Sequence, residues 1–284
     1  MDADVDALVS APWLHEQLEA GRPDLVVLDA SIDPYRGHTD GIPGARVFDI
    51  DGEFSRADVP IPHTMIPAAQ FQAQVRRLGV DAGALVVVYD AAGIYSSPRA
   101  WWMFRAMGHD RVAVLDGGLP GWRSHGYPVE ALGAPASGTD DEPDRQGDFV
   151  AHPDPGAFVD REQVLALLAD PGVAVLDARS RERFEGTAPE PRPGLRGGHM
   201  PGSRSLPLTD LLVDGHLRAP GELAALVGEA RADAQRIVTT CGSGVTACGI
   251  ALAAHLSGVS DLTVYDGSWS EWGRPDGPPV ASCA

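Results

Sequence analysis

The sequence predicts an α/β protein of two tandem domains related by duplication, each a mostly parallel sheet flanked by helices. The first observation behind this is an internal repeat. "LVVLDAS" (Leu25 to Ser31) returns as "VAVLDARS" (Val173 to Ser180), and "IPGARVFDI" from Ile42 returns as "MPGSRSLPL" from Met200. "LVVVYD", ending at Asp90, matches "RIVTTC", ending at Cys241, and "VLDGGLPGW", ending at Trp122, matches "VYDGSWSEW", ending at Trp272. A constant offset of about 150 residues across four segments in one order means two copies of a domain, not a short-period solenoid. The second observation is the alternation, within each copy, of short β-branched runs with amphipathic stretches, the pattern of parallel strands with crossover helices. The third is "LGAPASGTDDEPDRQGDFVAHPDPG", rich in Pro, Gly and Asp and without apolar periodicity, which reads as a linker. Residues 1–131 are therefore read as the first domain, 132–156 as the linker and 157–284 as the second domain.

In the second copy the expected order is a helix over 160–169, a strand over 173–177 and a long arginine-rich loop. A helix near 222–229, a strand over 237–240, a helix over about 245–256 and a strand over 262–265 complete it. Ligands of such sheets bind beyond the carboxyl ends of the strands, and Cys241 falls at one of those ends. The first copy carries Asp90 there, so it is expected to be a catalytically silent domain.

Composition narrows the chemistry. The chain has 284 residues, is 44% hydrophobic and carries a net charge of −18, which argues against nucleic acid and anionic membrane surfaces as partners. All 22 basic residues are arginine, so Schiff-base lysine chemistry and P-loop lysines are excluded. The acidic start, "MDADVDALVS", does not read as a signal peptide, and no apolar run reaches the roughly 20 residues of a membrane helix. Three cysteines, Cys241, Cys248 and Cys283, make neither a disulfide framework nor a zinc site, and a reducing cytoplasmic location is expected.

The stretch "TTCGSGVTACG", Thr239 to Gly249, strips large side chains away from around one thiol. Gly242 and Gly244 let backbone N–H groups turn inward ahead of a helix, forming a nest that favours an anionic sulfur on Cys241 and leaves room for an anionic group attached to it. Cys248, seven residues on in an apolar helix, reads as a core filler. Cys283, in the tail "GPPVASCA", reads as an exposed thiol without a role.

A strand, then Cys-Gly-Ser-Gly-Val-Thr, then a helix, in the second of two duplicated α/β domains, resembles the tandem-domain sulfurtransferases of the rhodanese superfamily. The likeness extends over nearly the whole chain, through "FDID", "SPRAWWMFRAMGH", "LDGG" and "EPRPGLRGGHMPGS". The six-residue loop "CGSGVT" is similar to the branch that uses 3-mercaptopyruvate; thiosulfate-specific members typically carry basic residues after the cysteine, where this chain has Gly242 and Ser243. The resemblance implies two rhodanese-like domains and a double displacement. Sulfur passes from a small-molecule donor to Cys241 as a persulfide, then to thioredoxin, a low-molecular-weight thiol or cyanide, with no metal or organic cofactor. It implies catalytic roles for Cys241, Ser243, His63 (in "PIPHTMIP") and Asp51 (in "FDID"), the last three forming a proton relay. Substrate binding is implied for Arg183 and Arg192 and for the loop residues Gly242, Gly244, Val245 and Thr246. Arginine suits a substrate with a carboxylate beside a ketone because its fork recognises planar acceptors.

Arg179, Arg181 and Arg196 are expected to pair with neighbouring glutamates, and His199 to stabilise a turn. "HTMIP" carries one residue more than the usual pattern, and Gly41 stands where the first domain often has a histidine. The rivals are a thiosulfate:cyanide sulfurtransferase and a non-catalytic rhodanese-like binding module. A Cx5R phosphatase would need an arginine at position 247, which is alanine.

Overall fold

The computed structural model describes residues 5–132 and 146–282, which divide into two compact units. Unit 1 comprises Met1–Arg56, Met65–Asp154 and Asp214–His216; unit 2 comprises Ala57–Thr64, Pro155–Val213 and Leu217–Ala284. Residues 57–64, which sequence order assigns to the first copy, thus group with unit 2. Most of the expected linker, and Cys283, lie outside the described residues.

Unit 1 is built from β1 (Leu8–Val9), α1 (Ala11–Glu19), β2 (Leu25–Asp29), β3 (Asp40–Gly41), β4 (Arg46–Val47), α2 (Ala68–Arg77), β5 (Leu85–Tyr89), α3 (Ser97–Ala106), β6 (Val112–Leu115), α4 (Gly118–Ser124) and β7 (Glu130–Ala131). Its five-stranded sheet has the order β1-β6-β5-β2-β4, and β3 pairs with β7 in a separate antiparallel ribbon. Every residue of β5, LVVVY, is buried, as a central parallel strand covered on both faces requires.

The second copy contributes β8 (Phe158–Val159), α5 (Arg161–Leu167), β9 (Val173–Asp177), α6 (Arg181–Glu185), β10 (Arg204–Ser205), β11 (Leu212–Val213), β12 (His216–Leu217), α7 (Pro220–Arg231), β13 (Arg236–Thr240), α8 (Ala247–Leu256), β14 (Leu262–Tyr265) and α9 (Ser268–Trp272), all in unit 2 except His216. The sheet order β8-β14-β13-β9-β10 is that of unit 1 strand for strand, and its registered pairs are parallel. The register pairs Thr240 with Asp177, bringing the carboxyl ends of β13 and β9 side by side. Val159, Val164, Val175, Met200, Val238, Tyr265, Trp269 and Trp272 form one core cluster of this unit. The two tryptophans fit because their indole N–H groups donate to the carbonyls of Arg196 and Pro279, both at 2.9 Å.

Two expected elements shorten for local reasons. Asp160 caps α5 through a reciprocal capping box with Gln163 and so stands outside the helix. α8 starts at Ala247, because 242–246 form the loop. The stretch read as a long arginine-rich loop contains α6, capped by Ser180 and ended by Gly186 at φ +83°. Among the described residues no helix is long and apolar enough to cross a membrane.

Candidate active site

Cys241 leaves the end of β13 and is held by the segment that opens α9. Its N–H donates to Ser268 Oγ (3.2 Å) and its carbonyl accepts from Trp269 N–H (2.9 Å), while the next carbonyl, Gly242, accepts from Ser270 N–H (2.9 Å) and Oγ (2.7 Å). Cys241 is 2% exposed. Gly244 sits at φ +79°, where a side chain would be strained, and turns the loop into α8. Among the described hydrogen bonds the N–H groups of Ser243, Val245, Thr246 and Ala247 have no protein acceptor. Val245 is buried and Thr246 half-buried. Gly242 is different. Its φ is ordinary, but a Cβ there would stand 3.1 Å from Arg183 Nη2 and 3.8 Å from Arg192 Nη1. Glycine at 242 is explained by the space under two guanidinium groups and not by backbone freedom.

Unit 1 reveals what such a loop holds. Asp90 occupies the position of Cys241, and Gly93 (φ +107°) that of Gly244. The fully buried Asp90 carboxylate fills the turn itself: Oδ1 accepts from Ala92 N–H, and Oδ2 from the N–H groups of Tyr95, Ser96 and Ser97 and from Ser97 Oγ, all at 2.7–3.0 Å. At the repeat offset these donors correspond to the N–H groups of Ser243, Thr246, Ala247 and Cys248. The loop is an anion cradle, closed in unit 1 by its own carboxylate. In unit 2 Cys248 N–H instead donates to the Val245 carbonyl (3.1 Å), and the Cys248 thiol, fully buried, donates to the Gly244 carbonyl (3.3 Å).

The arginines separate into distinct groups. Arg179 is fully buried: its Nε and Nη2 reach both oxygens of Asp177 at 2.7–3.1 Å, Nη1 reaches Glu190 Oε1 at 2.7 Å, and its guanidinium lies 4.0 Å from the Trp269 ring centre. Burial works against its charge, but the Asp177 and Glu190 carboxylates outweigh that and hold its pKa above the ordinary arginine value. Arg181 departs from the expected pairing with a neighbouring glutamate and pairs with Asp210 at the surface. Arg196 departs from the expected glutamate pairing and donates to the backbone carbonyls of Trp272, Gly273 and Pro278. Arg183 Nη2 pairs with Glu190 Oε2 at 2.6 Å. Arg192 makes no hydrogen bond or ion pair to another described residue.

His63 Nδ1 and Ser243 Oγ lie 2.9 Å apart within unit 2, so the structure brings these two expected partners together. His63 itself has φ +58°, in the left-handed region. Asp51 belongs to unit 1, where its Oδ2 accepts from Asp33 N–H at 2.9 Å. His199 holds a turn as expected, its ring donating to the Phe184 carbonyl (2.9 Å) and stacking on Phe184. Gly41 replaces the corresponding histidine because the Tyr89 hydroxyl fills that space and accepts from Ile42 N–H. Sequence reasoning missed Ser268, Trp269, Ser270 and Glu190. The repeat "VLDGGLPGW"/"VYDGSWSEW" contained a signal for the first three: Leu119 N–H donates to the Asp90 carbonyl as Trp269 N–H does to that of Cys241.

A buried thiol in an anion cradle, faced by two guanidinium groups and a Ser–His pair, defines a covalent group-transfer enzyme acting on an anionic substrate. The family model described as Rhodanese-like domain matches residues 10–125 and 160–274, and the chain belongs to the rhodanese family. It is 42% identical over 280 residues to the 3-mercaptopyruvate sulfurtransferase of Rattus norvegicus (94% of this chain, 91% of the relative). Identity is 36% over 285 residues to the enzyme of the same name from Escherichia coli (96% of each) and 40% over 295 residues to the thiosulfate sulfurtransferase of Mus musculus (94% and 92%). Among solved structures, that of SseA from Escherichia coli, a 3-mercaptopyruvate sulfurtransferase by its description, matches with a TM-score of 0.79 and 33% identity, over 94% of this chain and all of that one.

Proposed function

We propose that the protein moves sulfur from 3-mercaptopyruvate through a persulfide on Cys241 to an acceptor thiol or cyanide, and that unit 1 is catalytically silent. The observation that carries the donor choice is Gly242, whose missing side chain leaves the space beneath Arg183 and Arg192 open. A carboxylate beside a ketone offers planar acceptors to two guanidinium forks. An arginine at 242, as in thiosulfate-specific members, would crowd those forks with a third cation. Thiosulfate is the alternative donor, favoured by the 40% identity to a thiosulfate sulfurtransferase, and the two activities are a matter of relative kcat/KM.

The Cys241 sulfur attacks the thiol sulfur of the donor. An S–S bond forms, the C–S bond breaks, and the electron pair of that bond leaves on the enolate of pyruvate. The donor's thiol proton passes to the enolate carbon, giving pyruvate and an anionic persulfide cradled by the loop N–H groups. Ser243 and His63 form the proton path: the hydroxyl hands its proton to the imidazole as it takes one from the donor, and the flow then reverses toward the enolate. Asp51 enters through the family resemblance, as the residue that would fix the imidazole tautomer. In the second half, an acceptor thiolate attacks the outer sulfur, and Cys241 leaves as thiolate. The persulfide is the only carrier this scheme needs; thioredoxin or a low-molecular-weight thiol in a reducing cytoplasm would serve as acceptor.

Ser243→Ala tests the reading. Mercaptopyruvate has a thiol proton to lose and thiosulfate has none, so kcat/KM with mercaptopyruvate should fall about 10²- to 10⁴-fold and with thiosulfate far less. Equal losses with both donors would reduce the serine to a loop-shaping residue and remove the relay.

A further inference from the structure

Glu190 joins two arginines of different purpose. Its side chain is 2% exposed, Oε1 accepts from Arg179 Nη1 (2.7 Å) and Arg183 Nε (3.3 Å), and Oε2 accepts from Arg183 Nη2 (2.6 Å). Arg179 is itself immobilised, clamped by Asp177, by the Gly198 carbonyl (2.9 Å) and by the Trp269 ring. Asp177 ends β9, and Trp269 holds the Cys241 carbonyl. A continuous chain of contacts therefore runs from the sheet end through Arg179 and Glu190 to Arg183, whose Nη2 faces Gly242 at the mouth of the cysteine loop.

Arginine has five N–H donors, and Glu190 engages Nε and one hydrogen of Nη2. Three remain for a ligand, aimed by a carboxylate that cannot itself move. Charge is divided unequally. Arg179, Arg183 and Arg192 bring three positive charges, and Asp177 and Glu190 cancel two of them. The substrate arginines thus present a net charge of about one, held by Arg192, which pairs with no other described residue, while Arg183 contributes directed hydrogen bonds with its charge largely neutralised.

The geometry points to Glu190 as a positioning and specificity-determining residue that aims Arg183 and, by removing one unit of positive charge, tunes the donor site for a monoanion over a dianion. This rests on the mercaptopyruvate reading above. The carboxylate of mercaptopyruvate carries one negative charge and thiosulfate carries two, so a site of net charge near one favours the former and a site of net charge near two would shift toward the latter.

The experiment compares kcat/KM for mercaptopyruvate and thiosulfate at two ionic strengths in four proteins: wild type, Glu190→Gln, Arg183→Gln and the double variant. Glu190→Gln should raise the thiosulfate-to-mercaptopyruvate ratio about five- to tenfold, with the rise shrinking as salt increases. Arg183→Gln, at a part-exposed position, should lower the ratio. The double variant should return it to within about twofold of wild type while kcat for both donors stays depressed, because the charge is restored and the aim is not. Glu190→Asp, which keeps the charge, should leave the ratio unchanged and lower kcat. A ratio that stays constant across the set, or that moves identically at both salt concentrations, overturns the inference. If Glu190→Gln does not fold, the Arg183→Gln ratio against that of Glu190→Asp decides it. If wild type transfers no sulfur from mercaptopyruvate, the donor reading falls by itself; the salt dependence of thiosulfate kcat/KM still judges this inference, a steeper dependence in Glu190→Gln than in wild type supporting it and an unchanged one overturning it.

Discussion

Asp90→Ala removes a fully buried carboxylate that accepts from four backbone N–H groups and one hydroxyl. Each donor left buried without a partner costs about 1–3 kcal/mol, and loop relaxation and water entry recover part of the sum. A net loss of about 3–5 kcal/mol is expected, a fall in Tm of roughly 6–20 °C for a unit of this size. The cavity left behind is the anion cradle without its plug. Sulfate should therefore stabilise the variant beyond its general effect on wild type, by about 1.4 kcal/mol at ten times its Kd. Asp90→Asn, whose carbonyl can still accept where three of the N–H groups converge, should lose less and gain little from sulfate. The assay is thermal unfolding of the three proteins in matched sodium chloride and sodium sulfate. A variant as stable as wild type, or one that gains no more from sulfate than wild type does, would refute the reading of this loop as an anion cradle, and with it the reading of its counterpart around Cys241.

Arg192→Lys and Arg183→Lys should each lower kcat/KM with mercaptopyruvate by about 10- to 150-fold, since a point charge cannot reproduce a fork. Unchanged kinetics in both would return them to surface residues. His109 is buried against Phe104 and Phe149, and burial pushes its pKa below the ordinary histidine value. The unfolded chain then binds a proton that the folded one does not, so this residue's contribution to stability is complete above about pH 6.5 and is lost as pH falls toward its folded pKa, at no more than about 1.4 kcal/mol per pH unit. Chemical denaturation of His109→Gln from pH 7.5 to 5 should show a flatter acid-side decline than wild type; identical slopes would contradict this.

The strands were legible because parallel strands buried on both faces leave uninterrupted apolar runs, and β9 and β14 match their expected spans of 173–177 and 262–265. The Cys241 loop was legible because a glycine-flanked thiol at a strand end has a local signature. What escaped depends on contacts between distant residues. Nothing near Ser268 in sequence says that its hydroxyl will meet the N–H of Cys241, 27 residues away. Nothing around Glu190 says that it will reach back to Arg179 and Arg183 at once. Arg196 was misjudged for the same reason: adjacent glutamates suggest a surface pair, whereas packing against residues 272–278 offers it buried carbonyls. The sequence suggests Gly242 for its backbone freedom, whereas its φ is ordinary and the folded arginines supply a different reason, the space beneath their guanidinium groups.

The central claim is that Cys241 alone carries the sulfur. Protein incubated with 3-mercaptopyruvate and no acceptor, alkylated, digested and analysed by mass spectrometry should show one added sulfur atom on the peptide containing Cys241. The sulfur should vanish on addition of an acceptor thiol and be absent from Cys241→Ser, while Cys248→Ser should keep most of the turnover. Added sulfur on a cysteine other than Cys241, or full turnover with none found on Cys241, would contradict the account.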